Sequence, residues 1–287
     1  MTESVDSSLR GGEEVAAKPL LDVRNISKRY STSEGTITAV DDESFAIGAG
    51  EFVSIIGPSG CGKSTLFNIV GGLLADYEGT VAVDGKTISG THADIGMVFQ
   101  EESAFPWRTV LENVSFALEI AGLPRAQRHE QAMHFINLVG LSGFERRYPS
   151  ELSGGMRQRV AIARTLASKP RILLMDEPFA ALDEQTRLLL GDKVLQIQQA
   201  LRQTTLLITH NLTEAVQLSD RVLVMTYRPG RLKRFVDIAL PHPRDSAAVT
   251  SEQFGRYVAE IWNDLREEAT RGIDADEARA REKAGLR

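Results

Sequence analysis

The chain of 287 residues is 42 % hydrophobic and 25 % charged, a balance ordinary for a folded protein of one compact unit with lobes rather than two independent domains. Its net charge of −6 and pI near 5.5 leave no clustered basic stripe, which argues against a nucleic-acid surface. A single cysteine excludes an internal disulfide, and no apolar run approaches the roughly 18 residues that span a bilayer.

Residues 1–18 are small and polar and carry Glu3, Asp6, Glu13 and Glu14 instead of an apolar leader. They are expected to form a disordered lead on a cytosolic protein. Leu20 to Ile26 alternates like a half-buried strand that runs on to Tyr30, followed by a loop over 31–35. Tyr30 is placed either to lie against an adenine ring or to be an exposed strand end. Ile37 to Ile47 and Phe52 to Ile56 read as strands joined at Gly48-Ala49-Gly50, giving antiparallel β-structure.

Between the strand ending at Ile56 and a helix from Lys63 to about Leu74 runs Gly57-Pro58-Ser59-Gly60-Cys61-Gly62-Lys63-Ser64-Thr65. The glycines let successive backbone N–H groups curl round an anion, and the helix that follows aims its N-terminal dipole at the same spot. Such a cradle suits the phosphates of a nucleoside triphosphate. Lys63 supplies a charge for the β- and γ-phosphates, Ser64 a hydroxyl for Mg²⁺, and Thr65 a bond to a phosphate oxygen. Cys61 lies inside the cradle and is either structural or a thiolate activated by the helix N-terminus; if it faces the phosphates, maleimide labelling should block nucleotide binding.

Further along, Thr80 to Val83 meets Asp84-Gly85, a two-residue hairpin signal, and Ile95 to Phe99 is an apolar strand ending at Gln100. Residues 101–108 are loop, and Val110 to Ala121 and Gln127 to Val139 show helical spacing, an all-helical insert. Leu152-Ser153-Gly154-Gly155-Met156-Arg157-Gln158 opens another helix, so Ser153 and two glycines form a second anion site at a helix N-terminus. Ile172 to Met175 is a strand covered on both faces, closed by Asp176-Glu177. Asp176 can hold Mg²⁺ opposite Ser64, and Glu177 can orient or deprotonate an attacking water. A helix over 183–203, a strand over 204–209 ending at His210, and a helix over 211–218 complete an alternation that implies a parallel sheet. A strand pair brackets Arg228-Pro229-Gly230, and beyond Pro241 an exposed helix over 252–270 is followed by a frayed tail. His92, His129, His134 and His242 show no metal-ligand spacing.

Taken together, Gly57 to Thr65, Gln100, Leu152 to Gln158, Leu173 to Glu177, Ala181-Leu182-Asp183 and His210 resemble the ATP-binding cassette (ABC) ATPases over about residues 20–240. Leu152-Ser153-Gly154-Gly155 is the stretch that separates that family from other phosphate-loop ATPases. Met156 and Ala180 depart from the residues many relatives carry there, and neither removes a phosphate ligand. The resemblance implies an α/β P-loop NTPase (RecA-like) core with an antiparallel β-subdomain and an α-helical signature subdomain. It sets an ATPase domain at 19–240, its helical subdomain at about 101–168, and a C-terminal helical, charged tail at 241–287. It further implies ATP and Mg²⁺ as cofactors and two copies meeting head to tail, with Ser153, Gly154 and Gly155 of one chain capping the γ-phosphate held by Lys63 of the other. Tyr30 becomes the adenine platform, Gln100 a magnesium and water contact, His210 a γ-phosphate contact, Asp183 a cross-interface residue, and Gln158 a member of the nucleotide-contacting set.

An ATPase subunit of a membrane transporter is then expected at the cytoplasmic face of the membrane, working with separate permease subunits and, through them, a solute-binding protein. The rival is a cassette acting on DNA or ribosomes, which would bring a long coiled coil or a second cassette that this sequence lacks. Phe105-Pro106-Trp107-Arg108 and Arg228-Pro229-Gly230-Arg231 look like the nitrate, sulfonate and taurine importer ATPases.

Overall fold

Two β-sheets clasp one short helix, and the glycine loop enters that helix from the sheet behind it. The computed structural model describes residues 18–283 apart from positions 34, 102, 181, 243, 245 and 246. The expected disordered lead lies outside the described residues except for Lys18, whose ammonium donates to the Asp84 carbonyl at 2.6 Å.

The first sheet is antiparallel. Strands β1 (Leu21–Thr32) and β2 (Gly35–Ile47) form a long hairpin, with Tyr30 paired to Ile37 and Ser31 to Thr36, so strand takes most of the expected loop at 31–35. Strand β4 (Glu78–Val83) pairs with β1 and turns at Asp84-Gly85 into β5 (Lys86–Thr87). Both turn residues have positive φ, 51° and 71°, the conformation a tight two-residue hairpin demands. On β2 the inward positions Val40, Phe45 and Ile47 are apolar, but Glu43 shares that face, fully buried, with no hydrogen-bond partner for either carboxylate oxygen among the described residues.

The second sheet has the order β10-β9-β3-β8-β7-β6. Its strands β3 (Phe52–Ile56), β6 (Ile95–Val98), β7 (Ile172–Asp176), β8 (Thr204–Ile208) and β9 (Arg221–Met225) run parallel, and β10 (Leu232–Asp237) returns antiparallel along β9. Helix α1 (Lys63–Val70) lies between the sheets and buries Leu66, Phe67, Ile69 and Val70 against both; each such side chain contributes about 1.5–3 kcal/mol. It stops four residues short of the expected Leu74. The cause is Gly72, which turns the chain at φ 73°, where an added Cβ would sit 2.0 Å from the Gly90 carbonyl oxygen.

Helices α2 (Val110–Ile120), α3 (Arg125–Leu138) and α4 (Gly154–Ala167) form the helical lobe, packed on the sheet through Val114, Ile136, Val160 and Leu173. A reciprocal cap starts α2, the Thr109 side chain accepting from the Glu112 N–H while Glu112 accepts from that of Thr109. Helices α5 (Glu184–Leu201) and α6 (Leu212–Leu218) connect the remaining strands, and the left-handed Arg202, at φ 48°, ends α5. Helix α7 (Glu252–Lys283) corrects the sequence reading: no frayed tail begins at 271, and the helix runs on to Lys283. Phe254, Ile261 and Leu265 seat its first half on α6 and β9. Among the described residues no helix is long and apolar enough to cross a membrane. The α/β phosphate-loop architecture expected from the sequence is the one observed, antiparallel sheet and helical lobe included.

Candidate functional site

The loop after β3 needs its glycines for two separate reasons. Gly60 and Gly62 hold φ of 72° and 102°, and a Cβ on Gly62 would come within 2.5 Å of the Ala39 carbonyl oxygen. The turn they permit folds Lys63 back over its own loop, where its ammonium donates to the carbonyls of Gly57 at 2.7 Å and Pro58 at 2.9 Å. Next to it, Ser64 donates to Asp176 at the end of β7. Burial, then the neighbouring Glu177 carboxylate, pushes the Asp176 carboxyl up, while the Ser64 bond and the Lys63 charge pull it back.

Parallel strands deliver three more groups to the same edge. Glu177 follows β7, Gln100 lies two residues past β6, and His210 two past β8. The Glu177 Oε2 atom stands 3.0 Å from His210 Nδ1 and accepts from Gln100 Nε2 at 3.3 Å. Glu177 holds φ 43°, costly for a residue with a Cβ, and its N–H is tied to the Ile208 carbonyl at 2.8 Å. Strain of about 1–3 kcal/mol is thus carried by a carboxylate at the mouth of a phosphate-sized cradle.

Tyr30 closes the other side, 39 % exposed, its hydroxyl 3.5 Å from Thr65 Oγ1 and the Lys28 ammonium 4.9 Å from its ring centre. An open cavity of about 690 Å³ is lined by Tyr30, Ser59, Lys63, Ser64, Glu177 and His210 among others. A larger cleft, about 950 Å³, opens at the opposite end of the sheet and is lined by Gly50, Lys169 and Arg202, none of them a motif residue. Among the described residues no three His, Cys, Asp or Glu side chains cluster as a metal site. Ser64, Asp176 and Gln100 instead offer hydroxyl, carboxylate and amide oxygens, hard donors that fit Mg²⁺ shared with phosphates.

Two sequence expectations are corrected here. Cys61 is fully buried, its Sγ where a Cβ on Gly57 would meet it at 2.8 Å, and burial pushes the thiol up despite Lys63 nearby. The thiol points under the loop, so neither the activated thiolate nor the labelling test stands. Gln158 is also buried, donating to the Phe99 carbonyl at 3.4 Å behind the Gln100 turn, so its side chain faces away from the cavity.

Ser153 is the exposed N-cap of α4, accepting from the Met156 N–H at 3.3 Å, with Gly154 and Gly155 in the first turn. Gly155 packs so closely on Leu182 that an added Cβ would lie 2.7 Å from its Cδ2. Asp183 caps α5 through the Thr186 N–H at 2.9 Å. None of these residues lines the cavity built by Lys63 of the same chain.

Sequence reasoning missed Glu214 and Arg228. Glu214 is buried, accepts from Thr209 Oγ1 at 2.5 Å, pairs with Arg187 at 3.2 Å, and so braces the turn that carries His210; burial pushes its carboxyl up. In the sequence, Asn211 three residues before Glu214 signals only a helix cap. Arg228 donates from Nε to the Gly60 carbonyl at 2.7 Å and lines the cavity, which nothing in a lone Arg-Pro-Gly could reveal.

Residues 40–180 match the ABC transporter family. The chain is 49 % identical to an uncharacterized ABC transporter ATP-binding protein of Methanocaldococcus jannaschii, over 89 % of this chain and 95 % of that one. It is 41 % identical to the nitrate import ATP-binding protein of Synechocystis sp., over 89 % and 98 %. A solved bacterial ABC transporter cassette in dimeric form superposes with a TM-score of 0.69 at 32 % identity, covering 77 % of this chain and all of that one. With the phosphate loop, the strained Glu177 and the Ser153-capped helix on the fold those relatives share, the chain belongs to the ABC transporter family as one of its ATP-hydrolysing, ATP-binding proteins.

Proposed function

We propose that the chain powers an importer for a small oxyanion of the nitrate or sulfonate type, as one of two identical cassettes docked head to tail on separate permease subunits at the cytoplasmic face of the membrane. One observation carries the paired arrangement: Lys63, Glu177 and His210 share a cavity, whereas Ser153 and Gly155 open a helix elsewhere on the same chain. A second copy supplies the missing cap, Ser153, Gly154 and Gly155 of one chain closing on the γ-phosphate held by Lys63 of the other, with Asp183 at the seam. Within a chain, Tyr30 stacks on adenine, the loop 57–65 binds the phosphates, and Ser64, Asp176 and Gln100 hold Mg²⁺, which supplies charge neutralisation on the phosphates. Glu177 takes the proton of the attacking water, and His210 contacts the γ-phosphate while fixing Glu177 at its present 3.0 Å.

The solute class is supported by the nitrate importer relative and by Phe105 to Arg108 and Arg228 to Arg231, and the proposal includes a solute-binding protein that delivers the solute to the permease. A cassette acting on DNA or ribosomes is not favoured, because the helical lobe is three short helices and the chain is acidic. The test is Glu177→Gln. This variant should keep ATP affinity, lose turnover about 10²–10³-fold, and form an ATP-dependent dimer on sizing chromatography. Near-normal hydrolysis would remove Glu177 from its role, and a monomer with ATP bound would sink the shared site.

A further inference from the structure

The segment between β9 and β10 is pinned on both sides. Toward the β-subdomain, the Gly230 N–H donates to the Ala39 carbonyl at 3.0 Å, the Asp41 N–H to the Gly230 carbonyl at 2.9 Å, and Arg231 Nε to Asp41 at 3.0 Å. Toward the C-terminus, the Tyr227 N–H donates to Glu268 Oε2 of α7 at 3.0 Å. Glu268 is only 2 % exposed, and its carboxylate also accepts from Lys233 Nζ at 3.0 Å and Arg271 Nη1 at 3.2 Å. One turn on, Gly272 lies so close to Tyr227 that a Cβ there would meet the ring at 2.8 Å.

Between these anchors Arg228 leaves the segment and lies along the phosphate loop. Its Nε donates to the Gly60 carbonyl at 2.7 Å, and a Cβ on Gly60 would strike its Nη2 at 2.7 Å. The side chain stands among the residues lining the nucleotide cavity. Among the described residues it is the one guanidinium in that lining, and the Gly60 bond occupies its Nε–H. The terminal amino groups form the planar fork that matches phosphate oxygens. Lys63, the other strong cation in the lining, is turned onto its own loop carbonyls.

We propose that Arg228 is a further nucleotide-contacting residue, binding a phosphate of the nucleotide, and that α7 holds it in position through Glu268 and Tyr227. The proposal rests on the nucleotide reading above. The C-terminal helix thereby acquires a role in binding, because it packs on the back of the segment whose front reaches the nucleotide. Glu268 is a positioning residue, acting only through Tyr227 and Arg228.

The experiment uses the full chain and two readouts, ADP affinity of the monomer and the KM and kcat of Mg-ATP hydrolysis. Arg228→Ala should weaken ADP and raise KM about tenfold or more, the scale of a charge-assisted hydrogen bond to phosphate, with kcat moving much less and Arg228→Lys falling between. Glu268→Ala should raise KM severalfold, and combining it with Arg228→Ala should add nothing further. Gly272→Ala, which leaves Glu268 in place but drives a methyl onto the Tyr227 ring, should move KM in the same sense.

Normal ADP affinity in Arg228→Ala, alongside loss of binding in Lys63→Ala, overturns the proposal and leaves the nucleotide reading standing. Normal affinity in Lys63→Ala would instead sink that reading. If Arg228→Ala weakens only the ATP-dependent dimer of the Glu177→Gln protein, the guanidinium faces the partner cassette and the assignment to nucleotide fails. If Glu268→Ala and Gly272→Ala both fold and leave KM unchanged, or the Arg228 and Glu268 effects simply add, the helix does not position Arg228.

Discussion

At the end of the parallel sheet where β3, β7 and β8 finish, Lys63, Ser64, Glu177 and His210 gather around a cavity of about 690 Å³; where the same strands begin lies a cleft of about 950 Å³. At and just behind the larger space, the bonds tie side chains to backbone. Gln198 Nε2 donates to the carbonyls of Gly50 at 2.7 Å and Gln203 at 3.1 Å, the Gly50 N–H donates to Thr204 Oγ1 at 2.7 Å, and Gln203 bonds the Pro170 carbonyl. These are backbone repairs. At the smaller cavity, cationic Lys63 and Arg228 share one lining with Glu177, whose backbone is strained, beside the first residues of α1. Volume therefore misleads, and strand polarity decides: in open α/β sheets, ligands sit outside the carboxyl ends of the strands.

The sharpest way to break this comparison is to remove one cation from each end. Lys63→Ala should lower ATP affinity by at least about a hundredfold, since it deletes a nearly buried charge held over the mouth of the cradle by loop carbonyls. Lys169→Gln, at the larger cleft, should leave ATP affinity unchanged. Titration calorimetry reads both, and a comparable loss in the two variants would mean that the far cleft is coupled to the nucleotide after all.

Glu43 belongs to neither end and measures what a buried polar group does when nothing settles it. Burial, with the Asp42 charge adding to it, pushes its carboxyl up to about 8 from an ordinary 4.5. Because the folded chain holds this proton more tightly than the unfolded one, stability is highest below about pH 4.5 as far as Glu43 is concerned. It falls by about 1.4 kcal/mol per pH unit until the folded group ionises near pH 8. Glu43→Val should remove that slope and raise stability by several kcal/mol at pH 8, read by urea unfolding at pH 6 and 8.5. Parallel pH profiles for the two proteins would show that the buried carboxyl finds relief in solution.

The contrast also explains what the sequence could convey. Residues 57–65, Asp176-Glu177 and 152–155 were legible because each is contiguous, and a local backbone turn builds its chemistry. Gln100 and His210 entered only through the family resemblance, and the structure sets both beside Glu177 because β6, β7 and β8 are parallel and end on one edge. Arg228 was not, since its approach to Gly60 spans 168 positions and depends on where a hairpin is pinned. The far end of α7 hid for a different reason: the sequence beyond 270 lacks an apolar stripe, whereas the first half, expected as a helix, is seated by Phe254, Ile261 and Leu265 and by ion pairs such as Arg234 with Glu260 and Asp264. Gln158 and Cys61 show that membership of a motif does not place a side chain at the opening, since both side chains are buried, as the structural alternative for the Cys61 thiol requires.

The smallest expected effect on the isolated chain concerns the loop after Gln100, where two aromatics take different fates. Phe105 is half-buried, edge-on to Phe116 at 4.8 Å, with the Arg164 guanidinium 4.8 Å from its ring centre. Trp107 stacks on Phe105 at 5.6 Å yet remains 72 % exposed. The loop is not free to fold the indole away. Asn113, fully buried, accepts from the Phe105 N–H at 2.7 Å and donates to the carbonyls of Phe105, Arg108 and Thr109, which clamps the segment from beneath. A large apolar ring held out on a rigid loop, directly after a residue that bonds Glu177, is suited to bury itself in a permease helix. Trp107→Ala should therefore shift the stability of the isolated chain by no more than about 0.5 kcal/mol and leave ATP affinity unchanged. In cells it should lower permease co-purification and solute uptake per folded cassette. If the variant instead melts several degrees lower and uptake per folded complex stays normal, the ring serves its own lobe, and the link from the nucleotide end to the membrane must run through another surface.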